Sequence, residues 1–187
     1  MIDFYSSYFA DLKNTLDKID LGILEKINTI LYRALLEKKQ VFTMGNGGSG
    51  STASHFVCDL NKGVCYGQQN KFKAICLNDN IPTLLAYAND VSYTDIFSEP
   101  LKNLMQKGDI VIGFSGSGNS ENIIKAIEYA KQNGGITVGF SGCGGGRLAE
   151  VAEYSLVVPI DDMQKSEDIH FVLCHLMMQS LMRMIRK

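Results

Sequence analysis

The 187-residue chain is poor in several residue types that mark particular classes of protein. It has no tryptophan, only three prolines and three histidines, and none of its five cysteines forms a Cys-x-x-Cys pair. Scattered cysteines in odd number fit neither a disulfide framework nor a zinc knot, so we expect the reduced thiols of a cytoplasmic protein. No apolar run approaches the ~18 residues of a membrane helix. We therefore expect neither a disulfide-stapled nor a membrane-spanning protein.

Charge of either sign is also sparse. The chain has 18 basic and 20 acidic residues, a formal net charge of −2 and no cluster of lysine and arginine, so we expect no nucleic-acid partner. The first residues carry no basic segment followed by an apolar one, from which we expect no signal peptide. With 45% hydrophobic residues the composition is that of a globular protein, and we treat 1–187 as a single domain.

The order of the predicted elements indicates the fold class. Short strands, apolar on both faces, alternate with amphipathic helices, and no hairpin turns are seen. This pattern predicts a parallel sheet with helices on both sides, a three-layer α/β/α sandwich. We predict strands at 41–44, 72–77, 109–114, 136–140 and 154–159. We predict helices at 2–19 and 21–38, after the first strand, before a break at Asn89-Asp90, and at 93–106, 121–132, 147–151 and 166–184.

Residues 1–38 precede the alternation of strands and helices. They carry two amphipathic helices, and the first has an apolar stripe rich in aromatic residues, including Phe4, Tyr5, Tyr8 and Phe9. This first helix has no obvious place in a sheet sandwich. We predict that the N-terminal helices pack on a partner subunit, so that the protein is a homo-oligomer.

The stretch from Met44 to Asp59 carries the first functional signal. Glycine occupies four of the six positions 45–50, which lets the backbone turn sharply and approach a ligand. We expect the hydroxyls at 49–52 to cap the next helix, whose free N–H groups would face an anion. On that helix His55 and Asp59 are four residues apart on one face, as an acid–base or metal-binding pair would be. The alternative is an ordinary glycine-rich turn with a surface His–Asp contact.

A similar loop follows the third strand. Residues 115–120, Ser-Gly-Ser-Gly-Asn-Ser, combine three hydroxyls with glycines and a helix start, which can hold a monophosphate without a cation. The alternative is a turn that only caps its helix. Ligands of parallel sheets bind at the carboxyl ends of strands, where both loops lie. The P-loop motif of nucleotide-binding proteins is absent, and residues 45–50 match the dinucleotide-binding motif only superficially. We therefore expect the ligand to be a small phosphorylated molecule.

The three histidines lie at two places in the chain. His55 follows the first loop, whereas His170 and His175 are on the last helix. His170 and His175 point about 140° apart on an ideal helix, so at least one of them should be structural. Glu167 and His175 face similarly but lie ~12 Å apart along the axis. One ion could bind both only if Glu167 lies in a frayed first turn or if they come from different subunits.

Together these motifs resemble the sugar isomerase (SIS) domain family and, within it, the phosphoheptose isomerases. The resemblance covers nearly the whole chain. It rests on Gly45–Ser49, Ser54-His55-Phe56 with an acid four residues after the histidine, Ala88-Asn89-Asp90, loop 115–120, Ser141-Gly142 with Gly144-Gly145-Gly146, and Asp168-Ile169-His170 followed by His175. It implies an α/β/α sandwich with an added N-terminal helical pair, assembled as a homotetramer with active sites between subunits.

The resemblance also implies a reaction and its residues. The reaction converts sedoheptulose 7-phosphate to D-glycero-D-manno-heptose 7-phosphate through a cis-enediol, for heptose supply to a surface polysaccharide. Asp59 is implied as the base and His175 as the acid. The implied zinc ligands are His55, Asp59, Glu167 and His175. The implied substrate contacts are Asn46, Gly47, Gly48, Asp59, Asn89, Asp90, Ser115, Ser117, Ser120 and Glu167.

Several positions depart from the family pattern. Asp59 stands where the family has Glu, Glu167 where it has Gln, and Gly116 where it has Thr. An Arg four residues after the base is missing as well. These departures leave open an isomerase or sensor for another phosphosugar, or a non-catalytic SIS protein that binds a partner. The acid at Asp59 favours an enzyme. A carboxylate at Glu167 would bind a divalent ion more strongly than the family's amide does, because it adds a negative charge.

Overall fold

In a computed structural model that describes residues 1–186, a five-stranded parallel sheet lies between two layers of helices. The strands are β1 (Gln40–Gly45), β2 (Lys73–Cys76), β3 (Ile110–Ser115), β4 (Ile136–Ser141) and β5 (Tyr154–Val157). The helices are α1 (Ile2–Leu16), α2 (Leu21–Glu37), α3 (Gly47–Cys58), α4 (Ile81–Asp90), α5 (Ser98–Leu104), α6 (Glu121–Gln132), α7 (Gly146–Val151) and α8 (Met163–Ile185). The predicted α/β/α sandwich is confirmed.

The strand order places a crevice at the carboxyl edge of the sheet. The order is β2-β1-β3-β4-β5, and all neighbouring strands are parallel. Thr43 in the middle of β1 lies opposite Cys76 on one side and Ile112 on the other. The chain thus moves outward from β1 to β2 and then returns to β3. Ligands of open α/β sheets bind where the strand order reverses in this way, here between β1 and β3.

The strands are apolar on both faces because each face is covered by helices. Along β1, Val41 packs in the core with α2, α3 and α8, whereas Phe42 and Met44 pack in the core with α5, α6 and α7. This alternation follows from the two-residue period of a strand. Thr43 is also fully buried, and its hydroxyl donates to the Ala53 carbonyl at 2.9 Å. Among residues 1–186, no helix is long and apolar enough to span a membrane.

The two N-terminal helices join the sandwich differently. α2 buries Ile27, Leu31 and Leu35 and so forms part of the layer with α3 and α8. α1 buries only Thr15 among its residues. It is tied to α8 largely by polar contacts, such as the 2.5 Å hydrogen bond from the Tyr8 hydroxyl to an Asp168 carboxylate oxygen. α1 therefore presents the larger free apolar face.

The predicted helices around residue 90 were wrong in detail. Asn89 and Asp90 do not break a helix, because α4 continues through both of them. Asn80 begins this helix by accepting a hydrogen bond from the Thr83 N–H at 3.2 Å. The predicted helix 93–106 is divided into a 3-10 turn at Tyr93–Asp95 and α5. Pro100 lies in the first turn of α5, where its missing N–H needs no partner.

α8 begins at Met163, three residues earlier than predicted. The Asp162 carboxylate causes this early start, because it accepts a hydrogen bond from the Lys165 N–H at 3.1 Å. Glu167 consequently lies beyond the first turn, in regular helix. Of the two conditions under which one ion could bind both Glu167 and His175, the frayed first turn is therefore not met in this chain.

Helix geometry predicted that at least one of His170 and His175 is structural, and the structure shows that His170 is. It is fully buried between Phe114 and Phe140, with ring centroids 6.1 Å from each. Within residues 1–186, neither ring nitrogen makes a hydrogen bond. Burial lowers the pKa of His170 to about 4, although the nearby Ser141 backbone opposes the shift. The side chain is thus a neutral core residue at physiological pH.

This buried imidazole should make the fold sensitive to mild acid. The unfolded chain binds a proton at His170 below about pH 6.5, whereas the folded chain does so only near pH 4, so stability falls as the pH drops through this interval. Between pH 7 and 5 the loss from this group should be about 2 kcal/mol. Urea unfolding at both pH values should show a decline smaller by that amount in His170→Leu. An equal decline in both proteins would contradict the assignment.

Candidate functional site

α3 follows β1 without an intervening loop. Asn46 precedes the helix, and Gly47 is its first residue. A side chain on Gly45 would overlap the Ser49 backbone, so glycine is required where the first turn folds back on the strand end. The glycine-rich stretch is therefore the start of the helix itself.

The hydroxyls of α3 do not cap it, contrary to the sequence prediction. Asn46 occupies the capping position, and its side chain makes no capping hydrogen bond. The hydroxyls of Ser51 and Thr52 bond to carbonyls one turn earlier in the helix, at 3.5 and 3.3 Å. In the described part of the chain, no side chain caps the first N–H groups of α3, which form its positive end.

Asn46 joins three elements at the carboxyl edge of the sheet. Its side-chain amide exchanges two 2.9 Å hydrogen bonds with that of Asn122 on α6. It also accepts a 3.0 Å hydrogen bond from the Tyr93 hydroxyl. These bonds hold the start of α3 beside the start of α6. Two helix N-termini therefore meet at the crevice between β1 and β3, where they favour an anion.

The serine loop after β3 is held in a tight turn. The hydroxyls of Ser115 and Ser120 are 3.1 Å apart and hydrogen-bonded. Gly118 has a φ of +67°, and a side chain there would overlap the carbonyl of Gly145 in the loop after β4. The Ser120 side chain does not cap α6, although the residue stands at the capping position. Hydroxyls and helix-terminal N–H groups thus remain available to a ligand.

A cavity of about 130 Å³ lies between these helix starts. Its lining is mostly small and polar and contains no lysine or arginine. The lining residues are Asn46, Ser49, Phe114, Ser115, Gly116, Ser117, Ser120, Met163 and Glu167. A phosphate here would be held by hydroxyls and backbone N–H groups. A larger groove of about 530 Å³ runs along α2, away from the carboxyl edge, and brings together no comparable set of groups.

Glu167 and Met163 form the wall of this cleft on α8. The Ser49 hydroxyl donates to Glu167 Oε1 at 3.1 Å. A side chain on Gly48 would overlap the same carboxylate, so glycine makes room for it. A Cβ on Gly116 would lie 3.0 Å from Met163 Cγ. The thioether therefore crowds the space that the family's threonine would need.

A second group of chemically active side chains forms between α3 and α8. His55 Nε2 lies 2.9 Å from His175 Nε2 and 3.3 Å from Asp59 Oδ2. His175 Nε2 lies 4.0 Å from the same carboxylate oxygen. The Asp59 side chain is only 11% exposed, and within residues 1–186 its buried Oδ2 approaches His55 as an ion pair but makes no hydrogen bond. We call these three residues the His–Asp cluster.

Asp59 stands where α3 passes into a π-helix at Asp59–Val64, a rare form that often marks functional sites. This wide turn packs so closely on α8 that a side chain on Gly63 would collide with Met178 Sδ. Asn61 ties it to β2 through hydrogen bonds of 2.8 and 3.1 Å with the Ala74 backbone. The carboxylate is thus held on a fixed backbone.

The His–Asp cluster fits a divalent ion. It offers two imidazole nitrogens and one carboxylate oxygen, all within 4.8 Å of one another. Donors that surround a tetrahedral zinc ion at ~2.0–2.2 Å are ~3.3–3.6 Å apart. The observed separations of 2.9, 3.3 and 4.0 Å bracket this range. A buried carboxylate oxygen that makes no hydrogen bond within residues 1–186 is suited to bind a cation.

The structure does not bring every predicted site residue together. Glu167 faces the cleft, about 12 Å along α8 from His175, and lies outside the His–Asp cluster. Asn89 and Asp90 are exposed at the end of α4, where their side chains bond to each other at 2.7 Å. They line neither the cleft nor the cluster within one chain. Gly47 is also exposed, at the open start of α3.

Sequence reasoning missed three residues that shape the site. Nothing local indicates that Asn122 pairs with Asn46, since 76 positions separate them. Met163 lies before residue 166, where the sequence predicts the start of the last helix. Phe171 lies four residues before His175, a spacing that places both on one helix face and could have drawn attention to it.

Comparisons with known proteins agree on one family. The model of the SIS domain matches residues 5–142. The chain is 33% identical over 178 residues to a phosphoheptose isomerase of Helicobacter pylori, with 94% of this chain and 92% of that protein covered. It is 36% identical over 167 residues to a probable phosphoheptose isomerase of Thermoplasma acidophilum, with 89% and 88% covered. The structure of a phosphoheptose isomerase from Francisella tularensis matches with a TM-score of 0.88 at 26% identity, with 97% and 98% covered.

Proposed function

Since this chain belongs to the SIS domain family and, within it, to the phosphoheptose isomerases, we propose that it converts sedoheptulose 7-phosphate to D-glycero-D-manno-heptose 7-phosphate. The main support is that a serine-lined cleft and the His–Asp cluster share α3 and α8. An isomerase of a sugar phosphate needs both parts, one to hold the phosphate and one to move protons.

The cleft is suited to the phosphate end of the substrate. The starts of α3 and α6 supply N–H groups, and Ser115, Ser117 and Ser120 supply hydroxyls. Binding there positions the distant carbonyl end without taking part in the chemistry. The Glu167 carboxylate would repel a phosphate in direct contact, so we assign it to the sugar hydroxyls that follow.

Asp59 and His175 are suited to the proton transfers. Asp59 would remove a proton from C1 of the ketose. The electron pair of that C–H bond forms the C1–C2 double bond, and His175 gives a proton to O2. The cis-enediol then loses the O1 proton to His175, and Asp59 returns its proton to C2, which gives the aldose. The Nε2 atoms of His175 and His55 lie in hydrogen-bond contact, so His55 can hold the imidazole of His175 in position.

We propose zinc as the cofactor of this site. His55, Asp59 and His175 would hold it, and Glu167, which faces the cleft of its own chain, is not among the ligands that we propose. When bound, zinc supplies positive charge that polarises the substrate oxygens and stabilises the enediolate.

The proposed reaction can be tested directly. Purified protein is incubated with sedoheptulose 7-phosphate, and formation of the aldose is followed by NMR or by a coupled assay. Fructose 6-phosphate and ribulose 5-phosphate serve as alternative ketoses. Turnover of sedoheptulose 7-phosphate at the highest kcat/KM supports the proposal. Turnover of another ketose alone would favour the phosphosugar alternative, and turnover of none would favour a binding protein.

We also propose assembly into a homotetramer through the free face of α1. Phe4 and Phe9 are 59% and 64% exposed in one chain, a large apolar surface for a monomer. Light scattering should give a mass near four times the 20.6 kDa of one chain. The double variant Phe4→Glu/Phe9→Glu should be smaller, whereas Tyr66→Glu, an exposed aromatic outside α1, should not. A wild-type mass near 20.6 kDa at micromolar concentration would contradict the assembly.

A further inference from the structure

Phe171 forms a third ring beside the two imidazoles of the His–Asp cluster. Its centroid lies 4.4 Å from that of His55, with the two planes only 31° apart. It lies 5.0 Å from His175 at 82°, edge to face. The imidazoles themselves are 4.9 Å apart at 82°. His55 is thus enclosed between the face of Phe171 and the ring of His175.

Hydrogen bonds do not orient these imidazoles in the way that is usual for such sites. A metal-ligating histidine ordinarily donates its second ring N–H to a carboxylate, a carbonyl or a water. In the part of the chain that the structure describes, each of the two imidazoles makes a single hydrogen bond, which joins their Nε2 atoms. Neither Nδ1 has a protein partner there. Rotation of the His55 ring about its own axis is therefore limited by packing, and Phe171 supplies the flat surface against it.

Stability of the core does not account for Phe171 at this position. The side chain is 36% exposed, although it is apolar and large. The interior face of the same stretch of α8 is provided by Ile169, His170 and Leu173, which are all buried. Phe171 points instead to the surface on which His55 and His175 lie. Its exposure and its two imidazole contacts indicate a role in the site.

We propose that Phe171 is a positioning residue that fixes the ring orientation of His55 and, through it, aims the Nε2 atoms of His55 and His175 at the Asp59 carboxylate. It replaces, by stacking, the hydrogen bond that would otherwise hold the imidazole. Its kinetic consequence rests on the proposed function, because the cluster is where the protons move. It should affect metal binding and kcat but not KM, since the phosphate is held in the cleft.

The test compares Phe171→Ala with Phe171→Tyr and with Val172→Ala. Tyrosine keeps the ring, and Val172 is the next residue of α8, an apolar side chain that is 46% exposed and has no ring to stack on an imidazole. Three readouts are used: the histidine ring signals by NMR, the Kd for Zn²⁺ by chelator competition, and the kinetics with sedoheptulose 7-phosphate. The chain has only three histidines, so the ring signals can be assigned by substitution.

Phe171→Ala should broaden or split the His55 ring signals, weaken zinc binding about 10- to 100-fold and lower kcat with KM within about twofold. Phe171→Tyr and Val172→Ala should match the wild type in all three. If Phe171→Ala keeps one sharp set of His55 signals, the proposal is overturned, as it is if Val172→Ala causes the same losses. A wild-type protein without isomerase activity defeats the proposed function alone, because the NMR readout still decides the role of Phe171.

Discussion

Asp59→Asn should lower the turnover of sedoheptulose 7-phosphate by at least two to four orders of magnitude, since general base catalysis contributes ~10²–10⁴. The amide cannot accept the substrate proton at neutral pH. It has the same shape as the carboxylate, and the Oδ2 that it replaces makes no hydrogen bond. The fold should therefore be kept while the reaction is lost.

Two measurements and a control variant make this prediction specific. The kcat of Asp59→Asn is compared with that of wild type and of Asp17→Asn, which alters an acid next to the end of α1. Thermal unfolding of all three should agree closely. Asp17→Asn should retain wild-type activity. If Asp59→Asn keeps more than a tenth of the wild-type kcat, another group is the base.

The fold class could be predicted from the sequence because strands that are buried on both faces consist mostly of apolar residues. The apolar runs that contain Val41–Met44 and 109–114 show this directly. The order of the strands was not readable, since it depends on which way each crossover turns over the sheet. The β1–β3 crevice, which locates the site, therefore became visible only in three dimensions.

The two halves of the site were predictable to different degrees. The glycine and serine loops could be placed together because the carboxyl ends of parallel strands share one edge. Helix geometry also predicted that Glu167 and His175 would not share an ion easily, and the structure keeps them apart. The pairing of Asn46 with Asn122 has no local signal, because it depends on two helix starts that meet only in the folded chain.

Local residue preferences misled the prediction where tertiary or capping contacts outweighed them. Asn89 and Asp90 favour turns, yet each loses well under 1 kcal/mol in a helix. The cap at Asn80 and the preceding turns of α4 are enough to carry the helix through them. Asp162 likewise extends α8 toward the cleft, which brings Met163 over Gly116. An Asn or Asp in the sequence therefore indicates the end of a helix only weakly, unless its hydrogen-bond partner is known.

Removing divalent metal should lower kcat by about 100-fold, because charge stabilisation by a metal ion is worth several kcal/mol in such reactions. Two imidazole nitrogens and one buried carboxylate oxygen converge in the His–Asp cluster, and that oxygen makes no hydrogen bond within residues 1–186. We therefore expect elemental analysis of the purified protein to find about one zinc per chain. Chelation should remove both metal and activity, and added Zn²⁺ should restore them.

Two variants separate the metal site from the phosphate cleft. His55→Ala removes one nitrogen of the cluster, so it should lose bound zinc and most of its kcat. Ser117→Ala removes a cleft hydroxyl, so it should raise KM while zinc content stays at the wild-type level. We expect this contrast because Glu167, which lines the cleft, lies about 12 Å along α8 from His175, which belongs to the proposed zinc site. Full activity in metal-free enzyme, together with an effect of His55→Ala on KM alone, would make His55 a substrate contact and not a ligand.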